Sequence, residues 1–298
     1  MRHLIFTLSL VISLSNFAQQ ENDSTAINEA RYKFVMDSID NTFTYQRGTI
    51  SLQNGLATLE VPRGFKFLDS KQSAFVFTEL WGNPPSETMG MLLPEDISPM
   101  SENFTYCVEI TYSEEGYIDD EDAADLDYDD LLEEMQDDTR AANKERIAQG
   151  YGGMELLGWA SRPFYDADSK KLHWAKEIKF DGYDVSTLNY NIRVLGRRGY
   201  LNLNAIGDIS ILEEFNKERD RVLESVSFTS GNKYSDFNPD IDEVAAYGIG
   251  GLIAGKVLAK VGFFAGILKF WKVIAIGAVA AFGGLRKRIF GGNSEKDA

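Results

Sequence analysis

Alternating apolar and polar residues predict β-strands along the first part of the chain. Two alternating runs, 48–52 and 56–61, flank the dipeptide Asn54-Gly55, a turn signal that is typical of a β-hairpin. Further strands are predicted at 65–68, at 74–80 and at 104–112, where every second residue is apolar. The proline-rich stretch after residue 80 interrupts the pattern, because proline cannot donate to a strand ladder.

The second part of the chain adds two helices and four strands. Apolar residues recur at helical spacing over 127–149 and over 209–226, which predicts an amphipathic helix in each place. This order predicts an α+β fold with a mostly antiparallel sheet and packed helices. By analogy, a PsbP/Mog1-like sandwich is the preferred picture. The predicted strands are 154–161, 173–180, 187–195 and 199–206.

Residues 1–18 have the features of a signal peptide. Arg2 supplies a positive start, residues 4–14 form a short apolar segment, and Ala18 offers a small residue for cleavage. The apolar segment is shorter than a membrane-spanning helix. An uncleaved anchor and a buried N-terminal strand are the alternatives. We expect a polar tether or loose helix over 19–44 and one extracytoplasmic domain over 45–235.

The C-terminal segment 244–288 is the most informative part of the sequence and predicts a membrane anchor. It is rich in glycine and apolar residues and carries no acid, but lysines interrupt its apolar runs. A segment of this kind suits a bilayer with an anionic surface. Residues 289–298 form a polar tail. The predicted anchor residues are Gly251, Gly255, Lys256, Lys260, Gly262, Gly266, Lys269, Lys272, Arg286, Lys287 and Arg288.

Three arrangements of this anchor are consistent with the sequence. The first is one tilted span over 261–285, although each lysine inside it costs about 2.5–3.5 kcal/mol on insertion scales. The second is a helical hairpin, and the third is an amphipathic helix in the membrane interface. A buried, soluble helical pair is the alternative to all three. Small residues at helical spacing also favour a homo-oligomer through the C-terminal helix.

The charge distribution excludes nucleic acid as a partner and favours membrane lipid. The net charge is −16, but seven bases and no acid lie between Val244 and Ser294, which leaves −23 on the rest of the chain. An acidic body repels phosphates, whereas a basic apolar tail is attracted to anionic lipid.

An acidic stretch over 114–138 holds fourteen acids and no base. The spacing of Asp125, Asp127 and Asp129 resembles the start of an EF-hand calcium loop, but Asp130 stands where that loop needs glycine. We therefore expect a solvated loop that leads into a helix, whose N-terminus carboxylates stabilise. Specific calcium binding is the alternative.

Few residues offer catalytic or metal chemistry. Cys107 is the single cysteine, so the chain has no internal disulfide; we expect a core residue, with a reactive thiol as the alternative. His173 would be the single histidine of the mature chain, which is too few for a zinc site. No nucleophile elbow, P-loop or dinucleotide motif is present, so no cofactor is predicted. A carboxylate pair stays open as catalytic machinery, because acids are plentiful.

Aromatic, arginine and neighbouring polar side chains give the candidate binding residues, because such groups favour ligands and interfaces. At strand spacing they are more often core or sheet-edge residues, and this second interpretation is kept beside the first. The candidates are Trp81, Asn83, Tyr165, Asp166, Trp174, Arg193 and Arg197.

Short motifs between residues 81 and 197 carry a family resemblance that runs over about residues 48–285, and they are specific only in combination. They are Trp81-Gly82-Asn83-Pro84-Pro85, Gly90-Met91-Leu92-Leu93-Pro94, Gly116-Tyr117-Ile118-Asp119-Asp120, Gly158-Trp159, Pro163-Phe164-Tyr165-Asp166, Leu188-Asn189-Tyr190 and Leu195-Gly196-Arg197. Together they resemble an uncharacterised family of membrane-anchored bacterial proteins, domain of unknown function 2167. The resemblance implies an exported body and a membrane anchor, and it supplies no activity and no catalytic residues.

The sequence therefore predicts a cell-membrane protein, single-pass, with its folded body on the periplasmic side. We expect a non-enzymatic binding, scaffold or regulatory module whose small-molecule ligand is unknown. One alternative is an envelope hydrolase that uses a carboxylate pair or His173. Another is a glycan or small-molecule sensor that uses the tryptophan-rich sheet.

Overall fold

The computed structural model describes residues 31, 33–83, 85–101, 103–148 and 152–255. The chain divides into two units, residues 1–43 and residues 44–298. Helix α1 (residues 33–40) belongs to the first unit and falls within the predicted tether. The predicted signal peptide, residues 19–30 and the polar tail lie outside the described residues. So do the anchor positions Lys256, Lys260, Gly262, Gly266, Lys269, Lys272, Arg286, Lys287 and Arg288.

The described part of the second unit contains two antiparallel sheets. The smaller sheet has the strand order β1-β2-β10, and the larger one has the order β3-β4-β5-β9-β8-β7-β6. The strands are β1 (Thr49–Leu52), β2 (Ala57–Glu60), β3 (Phe65–Asp69), β4 (Gly90–Pro94), β5 (Tyr106–Ser113), β6 (Met154–Asp166), β7 (Lys171–Phe180), β8 (Thr187–Gly196), β9 (Gly199–Asp208) and β10 (Val226–Phe228).

Four further α-helices accompany the sheets in the described part of the chain. They are α2 (Ser70–Phe75), which continues as a π-helical turn over Val76–Leu80, α3 (Tyr128–Ala148), α4 (Leu212–Glu224) and α5 (Ile249–Ala254). Helix α3 packs on β6 and also contacts α5. The prediction of an α+β fold with antiparallel pairing is thereby confirmed.

The main core lies between the first face of the large sheet, the small sheet and α4. Alternate residues of β5, such as Tyr106 and Val108, point into it and are fully buried, as the alternation in the sequence predicted. Phe215 of α4 makes edge contacts with aromatic rings of the sheet, with a centroid distance of 5.6 Å to Tyr106.

A second core lies on the opposite face of the large sheet. Its sheet residues include Leu172, Trp174 and Leu195, and α3, α5 and the segments 117–128 and 234–247 pack around them. The large sheet is therefore covered on both faces over part of its area. For this reason, a strand such as β8 buries side chains on both faces of the sheet.

The predicted strand at 74–80 is wrong, because these residues are helical. The side chain of Asp69 accepts a hydrogen bond from the backbone N–H of Gln72 and caps the start of α2. The π-helical turn that follows buries Val76 and Phe77. The predicted strand residues therefore lie on a helix that packs on β3 and β4.

The first residues of the predicted anchor belong to the folded body. Ile249, Leu252 and Ile253 of α5 are buried in the second core. Both carboxylate oxygens of Asp122 accept hydrogen bonds from the start of α5, at 2.8 Å from Ile249 N and 3.0 Å from Gly250 N. The body therefore extends past residue 235, and the anchor prediction now concerns the chain beyond Gly255.

Gly251 and Gly255, the first of the small residues that were predicted to support a homo-oligomer, also lie inside this body. A Cβ atom on Gly251 would lie 2.6 Å from the Cβ of Tyr247, so the glycine serves a contact within the chain. Gly255 ends α5 in a left-handed conformation. Among the described residues, no helix is long and apolar enough to cross a membrane.

Candidate functional site

Eight polar residues lie on the second face of the large sheet, on the four adjacent strands β5, β9, β8 and β7. Because strand residues alternate between faces, each of these side chains points away from the main core. We call this set the polar sheet face: Glu109, Thr111, Lys176, Asn189, Asn191, Arg193, Asn202 and Asn204.

The strand register brings these residues into rows across the sheet. One row runs from Glu109 through Asn204 and Asn191 to Trp174, and the next pairs Thr111, Asn202 and Arg193. Glu109, Asn189 and Asn191 are each less than 10% exposed. Polar groups buried in this way need hydrogen-bond partners, because desolvation is costly.

Asparagine amides supply most of these partners and form a continuous network. Asn191 Nδ2 donates to Asn189 Oδ1 at 2.7 Å, and Asn189 Nδ2 donates to Asn204 Oδ1 at 3.2 Å. On the other side, Asn202 Nδ2 donates to Thr111 Oγ1 at 3.2 Å. The network fixes the amides in place and so presents a rigid surface.

Arg193 joins the two halves of the network. Its guanidinium donates to the side-chain oxygens of Asn202 and Asn191. It also stacks between two rings, with Cζ 5.0 Å from the centre of Trp174 and 5.3 Å from the centre of Tyr200. Even so, Arg193 Nε and Trp174 Nε1 are buried, and neither has a hydrogen-bond partner among the described residues. Unsatisfied buried donors of this kind are rare in a folded protein.

Lys176 places a second cation on the same face. Burial, together with repulsion from the positive charge of Arg193, lowers the pKa of its ammonium to about 8. Neither cation forms an ion pair with any residue that the structure describes. The face therefore holds two positive charges on adjacent strands, separated by the row of Trp174 and Asn191, without a counter-ion among the described residues.

Glu109 is the one acid of the polar sheet face, and it does not neutralise these cations. The strands β9 and β8 separate it from the strand of Lys176, which corresponds to about 14 Å across the sheet. Burial raises the pKa of its carboxyl to about 7, against the opposing effect of a hydrogen bond with Thr88. Near neutral pH this carboxyl is therefore partly protonated and can donate as well as accept hydrogen bonds.

One protein-family model matches most of this chain. The family model described as protein of unknown function (DUF2167) matches residues 44–283. The chain belongs to this family. The resemblance carried by the sequence motifs is thereby confirmed over most of the chain. No curated protein matches the chain.

Two solved structures have a distant similarity to this chain. The cyanobacterial PsbP protein (CyanoP) of Synechocystis sp. PCC 6803 is 12% identical, covers 62% of this chain and 93% of its own, and has a TM-score of 0.36. The Ran-binding protein Mog1p of Saccharomyces cerevisiae is 9% identical, covers 66% of this chain and 100% of its own, and has a TM-score of 0.35.

The structure places the predicted binding residues at four separate points. Trp174 and Arg193 come together at the polar sheet face. Trp81 is buried, and its indole nitrogen donates to the carbonyl of Pro99. Asn83 lies two residues further along and is also buried, and neither polar atom of its side chain has a hydrogen-bond partner among the described residues.

Tyr165 belongs to a cluster around the carboxylate of Asp120. Asp120 accepts hydrogen bonds from Tyr165 at 2.5 Å, from Lys170 at 2.7 Å and from Tyr234 at 2.9 Å. Burial alone would raise the pKa of this carboxyl, but these hydrogen bonds lower it. Asp166 lies in the next turn, where it accepts hydrogen bonds from Ser169. Both predicted residues therefore have structural partners.

Arg197 lines an open cleft of about 230 Å³ at the end of the large sheet. Its Nε donates to Asp242 at 2.6 Å, and Arg198 donates to the other oxygen of the same carboxylate at 3.4 Å. Glu114 and Tyr112 form part of the opposite lining. Arg197 is thus the one predicted binding residue among the lining residues of this cleft.

His173 lies on the opposite face of the sheet from Trp174, facing the main core. Its Nδ1 is 3.0 Å from the hydroxyl of the buried Tyr190. Burial, together with the nearby positive charge of Arg219, lowers the pKa of the imidazole to about 4, so His173 is neutral near pH 7. Cys107 is buried beside the polar sheet face, and burial strongly raises the pKa of its thiol.

The acidic stretch has structural partners for several of its carboxylates. Asp127 accepts hydrogen bonds from the backbone N–H groups of Asp129 and Asp130 at the start of α3, as predicted for a helix N-terminus. Asp122 caps α5, and Asp120 gathers the tyrosine hydroxyls described above. Among the described residues there is no group of His, Cys, Asp and Glu that could hold a metal ion.

Sequence reasoning missed Glu109, Lys176 and the four asparagines of the polar sheet face. A signal was present in β8, where Asn189, Asn191 and Arg193 occupy every second position between apolar residues. That pattern is also typical of an ordinary solvated strand face. Their burial, which makes them notable, depends on tertiary packing.

Proposed function

We propose that this chain is an exported, membrane-attached, non-enzymatic binding protein whose ligand carries an anionic group. The ligand binds on the polar sheet face, with its carboxylate or phosphate group against Lys176 and Arg193. One observation carries this proposal. Two half-buried cations share the polar sheet face, and no described acid pairs with either of them.

An anion at this position would satisfy several groups at once. Arginine and lysine bind carboxylates and phosphates through short, charge-assisted hydrogen bonds. The unpartnered Nε of Arg193 and Nε1 of Trp174 would both gain an acceptor. The amides of Asn189 and Asn191 are fixed by their own hydrogen bonds and would orient the polar body of the ligand.

The hydrolase alternative receives less support from the geometry. His173 contacts the hydroxyl of the buried Tyr190, and its contacts among the described residues include no nucleophile in an open cleft. The lining of the open cleft contains one acid, Glu114, whereas a carboxylate mechanism needs two. A sensor built on exposed tryptophans is also less favoured, because Trp81 and Trp174 are buried.

Calorimetric titration of the purified full chain with inorganic phosphate tests the binding proposal. We expect saturable binding that Lys176→Met and Arg193→Met each weaken at least tenfold, since one charge-assisted contact is lost in each. Lys144→Met is the matched control, because Lys144 is exposed on α3 and should leave binding unchanged. Absence of phosphate binding, or equal binding by all three variants, would contradict the proposal.

Export and membrane attachment are supported by the sequence of both ends of the chain. A reporter that is active only outside the cytoplasm can be fused after Gly255 in one variant and after Ala298 in another. Activity at the first site alone is expected for an exported body with one span. Activity at both sites would replace the single span with a hairpin or an interfacial helix, and silence at both would overturn export.

A further inference from the structure

The open cleft at the end of the large sheet shares no residue with the polar sheet face. Its volume of about 230 Å³ is below the roughly 300–1,000 Å³ of sites for drug-sized ligands. A site of this size suits a small, polar molecule. Glu114 and Arg198 both line the cleft, so a ligand there would meet one negative and one positive side chain.

Strand pairing places Glu114 and Arg198 beside each other. β5 ends at Ser113 and β9 begins at Gly199, and the two strands pair along their whole length. The backbone N–H of Gly116 also donates to the carbonyl of Arg198 at 3.1 Å. Gly199 has φ +149°, and a Cβ atom there would lie 1.9 Å from the carbonyl oxygen of Ser113. The close approach of the two chain segments therefore requires glycine.

A buried carboxylate holds both arginines of the cleft in position. Asp242, whose side chain is 2% exposed, accepts from the Nε atoms of Arg197 and Arg198. Arg197 also donates to the carbonyl of Gly231. The terminal nitrogens of Arg198 have no partner among the described residues, and its side chain is half exposed. One guanidinium is thus fixed at its Nε and available at its outer edge.

Glu114 offers the opposite charge in the same cleft. Its carboxylate makes no hydrogen bond and no ion pair with any described residue, Arg198 included. A carboxylate and a guanidinium therefore face one small cleft without pairing with each other.

The remaining lining adds neutral hydrogen-bonding groups and one aromatic wall. Asn54 lies in the turn between β1 and β2, and Asn232 follows β10. The two loops are tied together, because Thr229 Oγ1 donates to the carbonyl of Gly55 at 2.6 Å. Burial, with the nearby Glu114, raises the pKa of Tyr112 to about 12, so its hydroxyl stays protonated and can donate a hydrogen bond.

We propose that this cleft binds a free α-amino acid as a zwitterion. The carboxylate of the ligand pairs with the outer edge of Arg198, and its ammonium pairs with Glu114. The amides of Asn54 and Asn232 accept or donate the remaining hydrogen bonds. A zwitterion is the ligand that satisfies both charges and leaves the net charge of the cleft unchanged.

Titration of the full chain with L-alanine, followed by backbone amide chemical shifts, tests this inference. We expect saturable shifts at Asn54 and Asn232. N-acetyl-L-alanine, which lacks the ammonium, and L-alanine methyl ester, which lacks the carboxylate, should each bind at least tenfold more weakly. Glu114→Gln should weaken L-alanine binding at least tenfold but leave the weak binding of N-acetyl-L-alanine unchanged.

Arg198→Gln should have the complementary effect and leave the binding of the methyl ester unchanged. Glu213→Gln and Arg63→Gln remove exposed charges elsewhere and serve as controls. The thermal midpoint of each variant shows whether it is folded, which is expected because Glu114 and Arg198 lie at the surface. Absence of L-alanine binding, or binding that neither Glu114→Gln nor Arg198→Gln weakens, would overturn the inference. Neither outcome would affect the proposal for the polar sheet face.

Discussion

The guanidinium carbon of Arg193 lies 5.0 Å from the centre of the Trp174 ring, and each side chain keeps one buried nitrogen without a hydrogen-bond partner. The stacking stabilises the cation but does not neutralise it. With Lys176 on the neighbouring strand, this region of the sheet carries two positive charges and no described counter-ion. A site that is completed by a ligand is expected to be less stable when it is empty.

Replacing Lys176 by methionine should stabilise the unliganded protein. Methionine keeps the apolar part of the side chain and removes a desolvated charge that Arg193 repels, so the free energy of unfolding at pH 7 should rise by about 1 kcal/mol. Urea unfolding of the full chain measures this change. A loss of stability in Lys176→Met would contradict the description of Lys176 as an uncompensated cation.

The stability gain of Lys176→Met should depend on pH. The pKa of Lys176 is about 8 in the folded protein, below its ordinary value of 10.5. Between these values the unfolded chain binds more protons, so wild-type stability rises with pH as the ammonium loses its charge. The advantage of Lys176→Met should therefore be largest below pH 8 and shrink toward pH 10. Lys144→Met, on the surface of α3, should show no such trend.

Replacing Glu109 by glutamine should stabilise the protein above neutral pH. The pKa of Glu109 is about 7 when folded, above its ordinary value of 4.5, so the folded protein binds the extra proton between these values. Wild-type stability should fall as pH rises from 4.5 to 7, with the full penalty of about 2–3 kcal/mol present above pH 7. Glutamine carries no charge at any pH and avoids the penalty.

Urea unfolding at pH 5 and at pH 8 measures this difference. Glu109→Gln should exceed the wild type in stability by a clearly larger margin at pH 8 than at pH 5. Glu155→Gln, an exposed acid on β6, is the matched control and should give equal margins. Equal margins for Glu109→Gln as well would show that its carboxyl has an ordinary pKa.

Replacing Asp122 by alanine should loosen the attachment of α5. Two backbone N–H groups lose their acceptor, at Ile249 and Gly250, and loss of a helix cap costs about 1 kcal/mol. Hydrogen exchange should accelerate most over residues 249–254. Asp125→Ala removes an exposed acid from the same stretch and should change exchange there little. Equal effects of the two substitutions would argue against the cap.

Local sequence patterns predicted most strands, because the large sheet buries alternate residues of each strand in one core. β8 and β9 were found within a residue or two of their ends for this reason. The prediction for 74–80 was wrong because its apolar residues fit both the strand and the helix periodicity over so short a length. The signal for a helix was Asp69, whose side chain accepts a hydrogen bond from the backbone N–H of Gln72 and caps α2.

The site was only partly visible in the sequence, for a physical reason. Trp174 and Arg193 stand out by residue type, but Glu109 and Lys176 become relevant only once β5 and β7 share a sheet with β9 and β8 between them. That order follows from long-range pairing, since β5 pairs with a strand that begins some 85 residues later. Likewise, the contact of Asp122 with Ile249 joins residues 127 positions apart, so composition alone assigned α5 to the anchor.

Diffraction from crystals of the full chain grown with selenate tests the central claim most directly, because anomalous scattering from selenium locates a bound oxyanion. We expect a selenium peak on the polar sheet face, with selenate oxygens within hydrogen-bonding distance of Arg193 Nε and Lys176 Nζ. The peak should be lost in Arg193→Met crystals of the same form. Selenate bound only elsewhere, or ordered water filling the space beside both cations, would contradict the claim that this face is an anion site.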